Sequence, residues 1–245
     1  MVIYEQIQAV VAMSKKLFAV LVDPDKCTGE ALCRFIELTR QAKPDFIFIG
    51  GSLTTESTDI AIETIKENTN IPVVLFPGSA SQFSPKADAM LFLSLISGRN
   101  PDFLIGQHVV SAPFIRKSGM ETISTGYMLV ESGSTTAVEY MSNTRAIPRE
   151  KNSIAVATAI AGELLGNKLI YLEAGSGAQL PVPPQMITAV KKYISIPLVV
   201  GGGLRSMENI QDALQAGADI IVVGNVLEKD PQLMVEFAQL IQSFS

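Results

Sequence analysis

Short apolar runs that end in glycine recur through this chain and constrain its fold more than any other feature. Three of them stand late in the sequence, where residues 169–172, 197–200 and 220–223 each lead into a glycine-containing turn. Helical patterns separate these runs, and strands that alternate with helices form parallel βαβ units. Glycine turns behind the last strands of such a series are the phosphate-binding layout of a (β/α)8 barrel. The sequence therefore predicts an α/β fold of this kind, a TIM barrel.

Earlier apolar runs supply the remaining strands. They are predicted at residues 18–22, 46–49, 72–76 and 89–93, with a fifth inside 121–129. Helical patterns fit residues 28–42, 55–68, 152–165, 184–193, 206–216 and 231–242. The length of 245 residues is close to the ~250 that one barrel needs. No long polar linker divides the chain, so we expect a single domain over residues 1–245.

The link between the third and fourth predicted strands is too short for a crossover helix. Residues 77–88 contain Gly78, two prolines and several serines, and a helix with its two loops needs more chain. We therefore expect the third helix to be missing or reduced, which would open a groove on the side of the barrel. The alternative is that an N-terminal helix or a partner chain covers this gap.

Composition excludes several function classes. The net charge of −5 argues against nucleic acid as a partner, and no apolar run reaches the ~18–20 residues of a membrane span. Two cysteines and one histidine form neither a disulfide framework nor a multi-histidine metal site. With no visible signal peptide, we expect a cytoplasmic protein. Only 18% of the residues are charged, against ~25% in average domains, which indicates oligomer contacts, an apolar ligand groove or simply a well-packed barrel.

Polar residues follow the first two strands, on the face where barrel enzymes carry their catalytic groups. Asp23-Pro-Asp-Lys26 can hold Mg²⁺ through a carboxylate, with phosphate oxygens as further ligands. The alternative is an ordinary turn, because aspartate and proline are common turn residues. Gly50-Gly-Ser52 is either a tight turn or a turn that presents amides and a hydroxyl to a diphosphate. Arg99 is a candidate anion contact or a solvated loop residue, and we expect His108 to be packed on a helix.

The late glycine turns carry the more specific signal. Gly201-Gly-Gly203 precedes a helix, whose N-terminus attracts anions, and Gly224-Asn225 supplies the strand-eight half of a phosphate site. Glu173 lies inside the remaining turn, between Leu172 and Gly175. A carboxylate there is either a base beside a bound phosphate or a structural group in the barrel mouth.

Taken together, the motifs resemble those of the geranylgeranylglyceryl phosphate synthase family, which includes heptaprenylglyceryl phosphate synthases. The segments that carry the resemblance are 23–26, 50–52, 93–101, 171–177, 200–203 and 224–225. The resemblance is to the longer branch of that family, and the family barrel lacks its third helix. It implies an enzyme of the prenyltransferase class, which transfers a long prenyl group from its diphosphate to the 3-hydroxyl of sn-glycerol 1-phosphate. The implied donor is geranylgeranyl diphosphate.

The resemblance also implies roles for individual residues. Asp23 and Ser52 would hold Mg²⁺ with the diphosphate, and Glu173 would be the catalytic base. The glycerol phosphate would be bound by Tyr171, Leu172, Glu173, Ala174, Gly175, Ser176, Gly177, Gly202, Gly203, Gly224 and Asn225. A lysine of the shorter branch is replaced here by Leu21, so its contact with the acceptor does not carry over. A homo-oligomer, dimer or hexamer, is implied as well.

Two other functions are compatible with the glycine turns. One is a phosphate-binding TIM-barrel isomerase or lyase of amino-acid biosynthesis, which would need an acid and a base at two strand ends and no metal. The other is a barrel without activity that senses a phosphate ligand or serves as an assembly subunit. Asp23 and Glu173 count against that second function, because a binding module needs neither.

Overall fold

A computed structural model describes residues 2–244. Eight parallel strands close into one barrel in the order β1 to β8, which confirms the predicted (β/α)8 fold. The strands are Leu17–Val22 (β1), Phe46–Ile49 (β2), Val73–Leu75 (β3), Ala89–Leu95 (β4), Glu121–Leu129 (β5), Leu169–Glu173 (β6), Leu198–Gly201 (β7) and Ile220–Val223 (β8). Among the described residues no helix is long and apolar enough to cross a membrane.

Helices surround the barrel. They are Ile3–Ala12 (α1), Gly29–Ala42 (α2), Thr58–Asn68 (α3), Gln107–Ser118 (α4), Ala137–Ser142 (α5), Asn152–Leu164 (α6), Pro184–Lys191 (α7), Met207–Gln215 (α8), Asn225–Lys229 (α9) and Leu233–Ser243 (α10). A π-helical turn, Asp102–Gly106, leads into α4. The sequence did not predict α1, α5 or α9, and of α4 it indicated only that His108 lies on a helix.

Alternation along each strand divides the core into two parts. On β6, Leu169 and Tyr171 belong to the cluster inside the barrel, whereas Ile170 and Leu172 pack in the cluster between the strands and the outer helices. This is the period of two that every strand shows. Glu173 follows Tyr171 by two residues, so the same alternation turns its side chain inward at the carboxyl end of the strand.

The opposite end of the barrel is closed by α1. Ile3 and Ile7 join the inner cluster from below. The Glu121 carboxylate, at the start of β5, accepts the N–H groups of Ile3 at 2.7 Å and Tyr4 at 2.8 Å. A carboxylate at a helix N-terminus satisfies free N–H groups and complements the helix dipole. The N-terminal helix therefore closes the bottom of the barrel and does not cover the gap left by the third helix.

The third crossover is reduced, as the sequence predicted. Only a 3₁₀ turn, Ala80–Gln82, stands between β3 and β4. The buried side chain of Gln82 replaces the missing helix as an anchor: its Oε1 accepts the N–H of Gly78 at 3.0 Å, and its Nε2 donates to the carbonyl of Gly51 at 2.8 Å. This link ties the short segment to the loop that follows β2.

Candidate active site

A cavity of ≈ 390 Å³ opens at the carboxyl ends of the strands. Most residues predicted for the site line it, namely Asp23, Ser52, Tyr171, Glu173, Gly175, Ser176, Gly177, Gly202, Gly203, Gly224 and Asn225. Leu172 and Ala174 do not line it. The side chain of Leu172 faces the outer helices, and the N–H of Ala174 is already donated to the carbonyl of Gly201 at 3.1 Å. The Leu172 side chain therefore points away from the cavity, and the Ala174 N–H is engaged between β6 and β7.

Glu173 lies at the base of the cavity and is 5% exposed. Its Oε1 accepts the N–H of Gly175 at 2.7 Å. Burial raises the pKa of this carboxyl to about 7, and the hydrogen bond from Gly175 and the neighbouring Tyr171 hydroxyl offset part of the rise. Because burial disfavours the charged form, the group changes its protonation state near neutral pH, where a general base is most effective.

Three aromatic rings form the floor beneath this carboxylate. The Tyr171 ring lies 5.5 Å from Phe76 and 5.3 Å from Tyr127 between centroids. Among residues 2–244 the Tyr171 hydroxyl makes no hydrogen bond of acceptable geometry, although it lies beside Glu173. Burial and the nearby carboxylate raise the pKa of Tyr171 well above its ordinary value, so this hydroxyl stays protonated. The aromatic floor limits the access of water to the base from below.

Glycine is required around Glu173 because the backbone approaches the carboxylate closely. Gly202 has φ +77°, and a Cβ there would lie 2.2 Å from Oε1 of Glu173. Gly175 has φ +99°, and its Cβ would lie 2.5 Å from the Thr136 side chain. Left-handed backbone and close approach both favour glycine. These turns form a concave surface of main chain, the arrangement in which N–H groups bind phosphate.

A polar bridge at the rim of the cavity links the turn after β6 to the turn after β8. Asn225, the first residue of α9, donates from Nδ2 to Oγ of Ser176 at 3.1 Å. Arg205 braces the same rim, because its guanidinium donates to the carbonyls of Gly177 and Ala178. Arg205 lines the cavity but was not assigned a role from the sequence, although its place just before α8 was a usable signal.

Asp23 follows β1 and Ser52 follows β2, and both residues line the cavity. Oδ1 of Asp23 accepts the N–H of Asp25 at 3.1 Å, and Oδ2 lies 3.1 Å from the ammonium of Lys26. A Cβ at Gly51 would lie 3.6 Å from the Asp23 carboxylate, so the loop that carries Ser52 lies directly against it. A carboxylate and a hydroxyl are therefore presented together to the cavity.

These donors fit Mg²⁺ as a partly open site. Over residues 2–244 no group of three or more His, Cys, Asp or Glu side chains is arranged to hold a metal ion, so the protein does not supply a closed metal cage. Mg²⁺ is commonly held by one or two carboxylates, waters and substrate phosphates. The oxygen donors of Asp23 and Ser52 match that chemistry, with the remaining positions left to a diphosphate and water.

Asp25, Arg99 and His108 have other partners. Asp25 is turned away from the cavity, and its carboxylate accepts the N–H groups of Thr55 at 2.9 Å and Glu56 at 2.8 Å. These hydrogen bonds lower the pKa of Asp25. Arg99 donates to the carbonyl of Gly98 at 2.7 Å and lines neither the cavity nor its side groove. His108 is buried on α4, as the sequence indicated.

An apolar groove of ≈ 110 Å³ extends sideways from the cavity at the gap between β3 and β4. Its walls include Pro77, Ala80, Met90, Leu93 and Phe103. Further residues line both the groove and the cavity, namely Gly51, Ser52, Phe76, Tyr127, Val138 and Met141. The groove therefore opens beside Ser52 and Asp23 and lies where the sequence predicted it. Phe76 and Tyr127 were not identified from the sequence, because they read as ordinary core aromatics.

Comparison with known proteins decides the family. The family model described as PcrB matches residues 10–241. The chain belongs to the PcrB family. A geranylgeranylglyceryl phosphate synthase of Chitinophaga pinensis is 51% identical over 93% of this chain and 91% of that protein. The enzyme of the same name from Spirosoma linguale is 49% identical over 94% of this chain and 93% of its own.

A solved structure agrees with these relatives. The crystal structure of (S)-3-O-geranylgeranylglyceryl phosphate synthase from Thermoplasma acidophilum, in complex with its substrate sn-glycerol-1-phosphate, matches with a TM-score of 0.91. It is 32% identical, and the match covers 99% of both chains. The resemblance drawn from the motifs is thereby confirmed, and with it the expectation of an enzyme of the prenyltransferase class.

Proposed function

We propose that this protein joins a long prenyl diphosphate to the 3-hydroxyl of sn-glycerol 1-phosphate and releases diphosphate. The observation that carries the proposal is the position of Glu173, a buried carboxylate in a cavity that the glycine turns line and that shares Ser52 and Tyr127 with an apolar groove. An isomerase or lyase of amino-acid biosynthesis would share the glycine turns but would have no use for the groove. The relatives named above also support the synthase.

The acceptor side is assigned to the turns after β6, β7 and β8. Gly175, Gly177, Gly202 and Gly203 have left-handed backbone, which turns main-chain amides toward one concave surface. The phosphate of glycerol phosphate matches such a surface. We place the glycerol 3-hydroxyl at Glu173, because that carboxylate lies beside Gly175 and Gly202.

The donor side is assigned to Asp23, Ser52 and the groove. These two residues would hold Mg²⁺ together with the diphosphate, and the bound ion would offset the negative charge that develops on the leaving group. The apolar groove begins beside Ser52, so the prenyl tail would leave the metal and run past β3 and β4. Burial contributes about 0.8 kcal/mol per CH₂, although ordering the chain offsets part of it. By resemblance to the longer branch, the donor is geranylgeranyl diphosphate.

The chemistry of the transfer then follows from the two sides. The carboxylate of Glu173 accepts the proton of the 3-hydroxyl while that oxygen forms a bond to the first carbon of the donor. The bond between this carbon and the diphosphate oxygen breaks, and the diphosphate leaves with the electron pair. The low exposure of Glu173 keeps water from competing as the acceptor of the prenyl group.

The test is a competition between donors. Purified protein is incubated with Mg²⁺, labelled sn-glycerol 1-phosphate and an equimolar mixture of ten-, fifteen-, twenty- and thirty-five-carbon prenyl diphosphates, and the products are identified by mass spectrometry. The proposal predicts the twenty-carbon ether as the main product and its loss when Mg²⁺ is chelated. A main product that carries a thirty-five-carbon chain would support the reaction type but contradict the assignment of a twenty-carbon donor. Absence of any ether would overturn the function.

We also propose that the protein forms a homo-oligomer. This proposal is supported by large apolar side chains that are exposed on the outside of the barrel. They include Val109 and Phe114 on α4, Leu164 at the end of α6, and Leu165 just after it. Exposed apolar surface of this kind marks interaction sites, and a second copy of the chain is the partner that the resemblance implies. Sedimentation at micromolar concentration tests this, because a monomer of 26.3 kDa would contradict it.

A further inference from the structure

Lys26 lies between two carboxylates at the edge of the cavity. Its ammonium is 3.1 Å from Oδ2 of Asp23 and 3.3 Å from Oε1 of Glu228. Asp23 follows β1, whereas Glu228 belongs to α9, the helix that begins at Asn225. The three side chains therefore connect the loop proposed for the metal to the helix proposed for the acceptor phosphate.

The same side chains separate two cavities. Asp23, Lys26 and Glu228 line the main cavity, and they also line a second cavity of ≈ 350 Å³ between α2 and α9. Lys26 is 47% exposed at its side chain, and its ammonium is carried on a flexible four-carbon stem. The ammonium can therefore move between positions without a change in the backbone.

A divalent cation and this ammonium cannot share Asp23 favourably. Lys26 contacts Oδ2, while Oδ1 already accepts the N–H of Asp25. An ion bound to the carboxylate would meet the ammonium at a distance where like charges repel strongly. Glu228 offers Lys26 a second partner at nearly the same distance, so the lysine can give up Asp23 and remain paired.

We propose that Lys26 is a cation placeholder, which holds the Asp23 carboxylate in position before a divalent metal binds and then withdraws to Glu228. This inference rests on the proposed function, in which Asp23 is a metal ligand. Lys26 is thus a positioning residue, and Glu228 acts on the metal site through Lys26. Metal loading on the donor side would thereby be linked to the position of α9 on the acceptor side.

The proposal makes a distinctive prediction for metal affinity. Mn²⁺ serves as a paramagnetic probe for the Mg²⁺ site, and free Mn²⁺ is measured by electron paramagnetic resonance in substrate-free protein. Lys26→Met should bind Mn²⁺ several-fold more tightly than wild type, because the competing ammonium is gone. Glu228→Gln should bind it several-fold more weakly, because among residues 2–244 Asp23 is then the remaining carboxylate partner of Lys26.

A double-mutant cycle separates the placeholder from a general effect of charge. If Glu228 acts through Lys26, the effect of Glu228→Gln disappears in the Lys26→Met background. Equal effects of Glu228→Gln in both backgrounds, or unchanged affinity in Lys26→Met, would overturn the inference. Lys229→Met removes a neighbouring charge that has no ion pair with Asp23, and it should leave Mn²⁺ affinity near that of wild type.

Asp23→Asn distinguishes failure of the inference from failure of the proposed metal site. If Asp23→Asn binds Mn²⁺ as tightly as wild type, the metal assignment itself is wrong. If Asp23→Asn loses Mn²⁺ while the Lys26 and Glu228 variants show no coupling, only the placeholder is wrong. Absence of bound Mn²⁺ in both wild type and Lys26→Met would also overturn it, because the lysine variant should expose the site. Thermal unfolding confirms that each variant is folded.

Discussion

Gly202 and Glu173 are so close that a single methyl group at Gly202 would lie 2.2 Å from the carboxylate Oε1. The turn after β7 thus presses its backbone against the end of β6. Together with the hydrogen bond from Gly175, this contact fixes the carboxylate in one position. The candidate base is therefore held by main chain on two sides.

Gly202→Ala tests this arrangement. The new methyl group must displace Glu173, and a shift of about 1 Å at a reacting group costs roughly 10²-fold in rate. We expect kcat to fall by about that factor, and it is measured by product formation at saturating substrates. Gly119→Ala is the matched control, because Gly119 has φ +71° and a Cβ there would meet no atom within 4 Å from the described residues beyond its own helix and chain neighbours. It carries a similar backbone cost of about 1–2 kcal/mol but should retain activity. Equal loss in both variants would mean that backbone strain alone explains the effect.

Tyr171→Phe should shift the pH dependence of the reaction. The Tyr171 hydroxyl lowers the pKa of Glu173, so removing it raises that pKa and moves the acid limb of kcat/KM to higher pH. Tyr127→Phe is the control: its ring contacts Tyr171, but its hydroxyl is not among the groups that set the Glu173 pKa. An unmoved acid limb in Tyr171→Phe would contradict this account of the base.

Glu173 also ties folding stability to pH. Burial raises its pKa from 4.5 to about 7, so the folded protein holds this proton more tightly than the unfolded chain. The stability that this provides is present below pH 4.5 and is lost as the pH rises through about 7. Glu173→Gln has no such carboxyl and avoids this loss. Its advantage over wild type in free energy of unfolding should therefore be larger at pH 8 than at pH 4, by up to about 3 kcal/mol.

The measurement is urea unfolding of both proteins across this pH range. The difference between them should grow between pH 4.5 and 7 and then level off. Glu150→Gln removes a carboxylate at an exposed position and is the matched control. A constant difference between Glu173→Gln and wild type across this range would show that the Glu173 carboxyl is not perturbed by burial.

The side groove should respond to a change in its volume. Ser111 lines the groove from α4, and Ser111→Phe would fill part of it. We expect kcat/KM for the twenty-carbon donor to fall at least tenfold while a ten-carbon donor is affected less, since each excluded methylene loses about 0.8 kcal/mol of burial. Ala112→Phe places the same ring one residue further, at an exposed position, and should change neither value. Equal losses for both donors would argue that the tail lies elsewhere.

The sequence predicted the barrel well because its signals are local. Strands β2, β5 and β8 appear at the predicted residues, and the short link at 77–88 was enough to predict the missing helix. The bounds of helix α4 were not predicted, although His108 was expected on a helix, because Pro113 stands inside α4 and a π-helical turn precedes it, and proline is a strong signal against a helix interior. Helix α1 is anchored by Glu121, a partner more than a hundred residues away that no local pattern reveals.

The candidate site could likewise be predicted only in part. Local sequence patterns predict where strands end, so Asp23, Ser52 and Glu173 were expected on one face of the barrel. Local patterns do not predict contacts between loops. Asp25 is the other carboxylate of the 23–26 segment, and only the structure shows that it accepts hydrogen bonds from the backbone of Thr55 and Glu56. The pairing of Lys26 with Glu228 joins the first and last loops of the barrel and needed the closed barrel to become visible.

The central claim is that Glu173 is the general base, and Glu173→Gln tests it most directly. The variant keeps the shape of the side chain and its place beside Gly175 but cannot accept a proton. Turnover of sn-glycerol 1-phosphate and geranylgeranyl diphosphate with Mg²⁺ should fall by roughly 10²–10⁴-fold, the usual contribution of a positioned acid–base group. Calorimetry should show that glycerol phosphate still binds. Turnover near that of wild type would contradict the account.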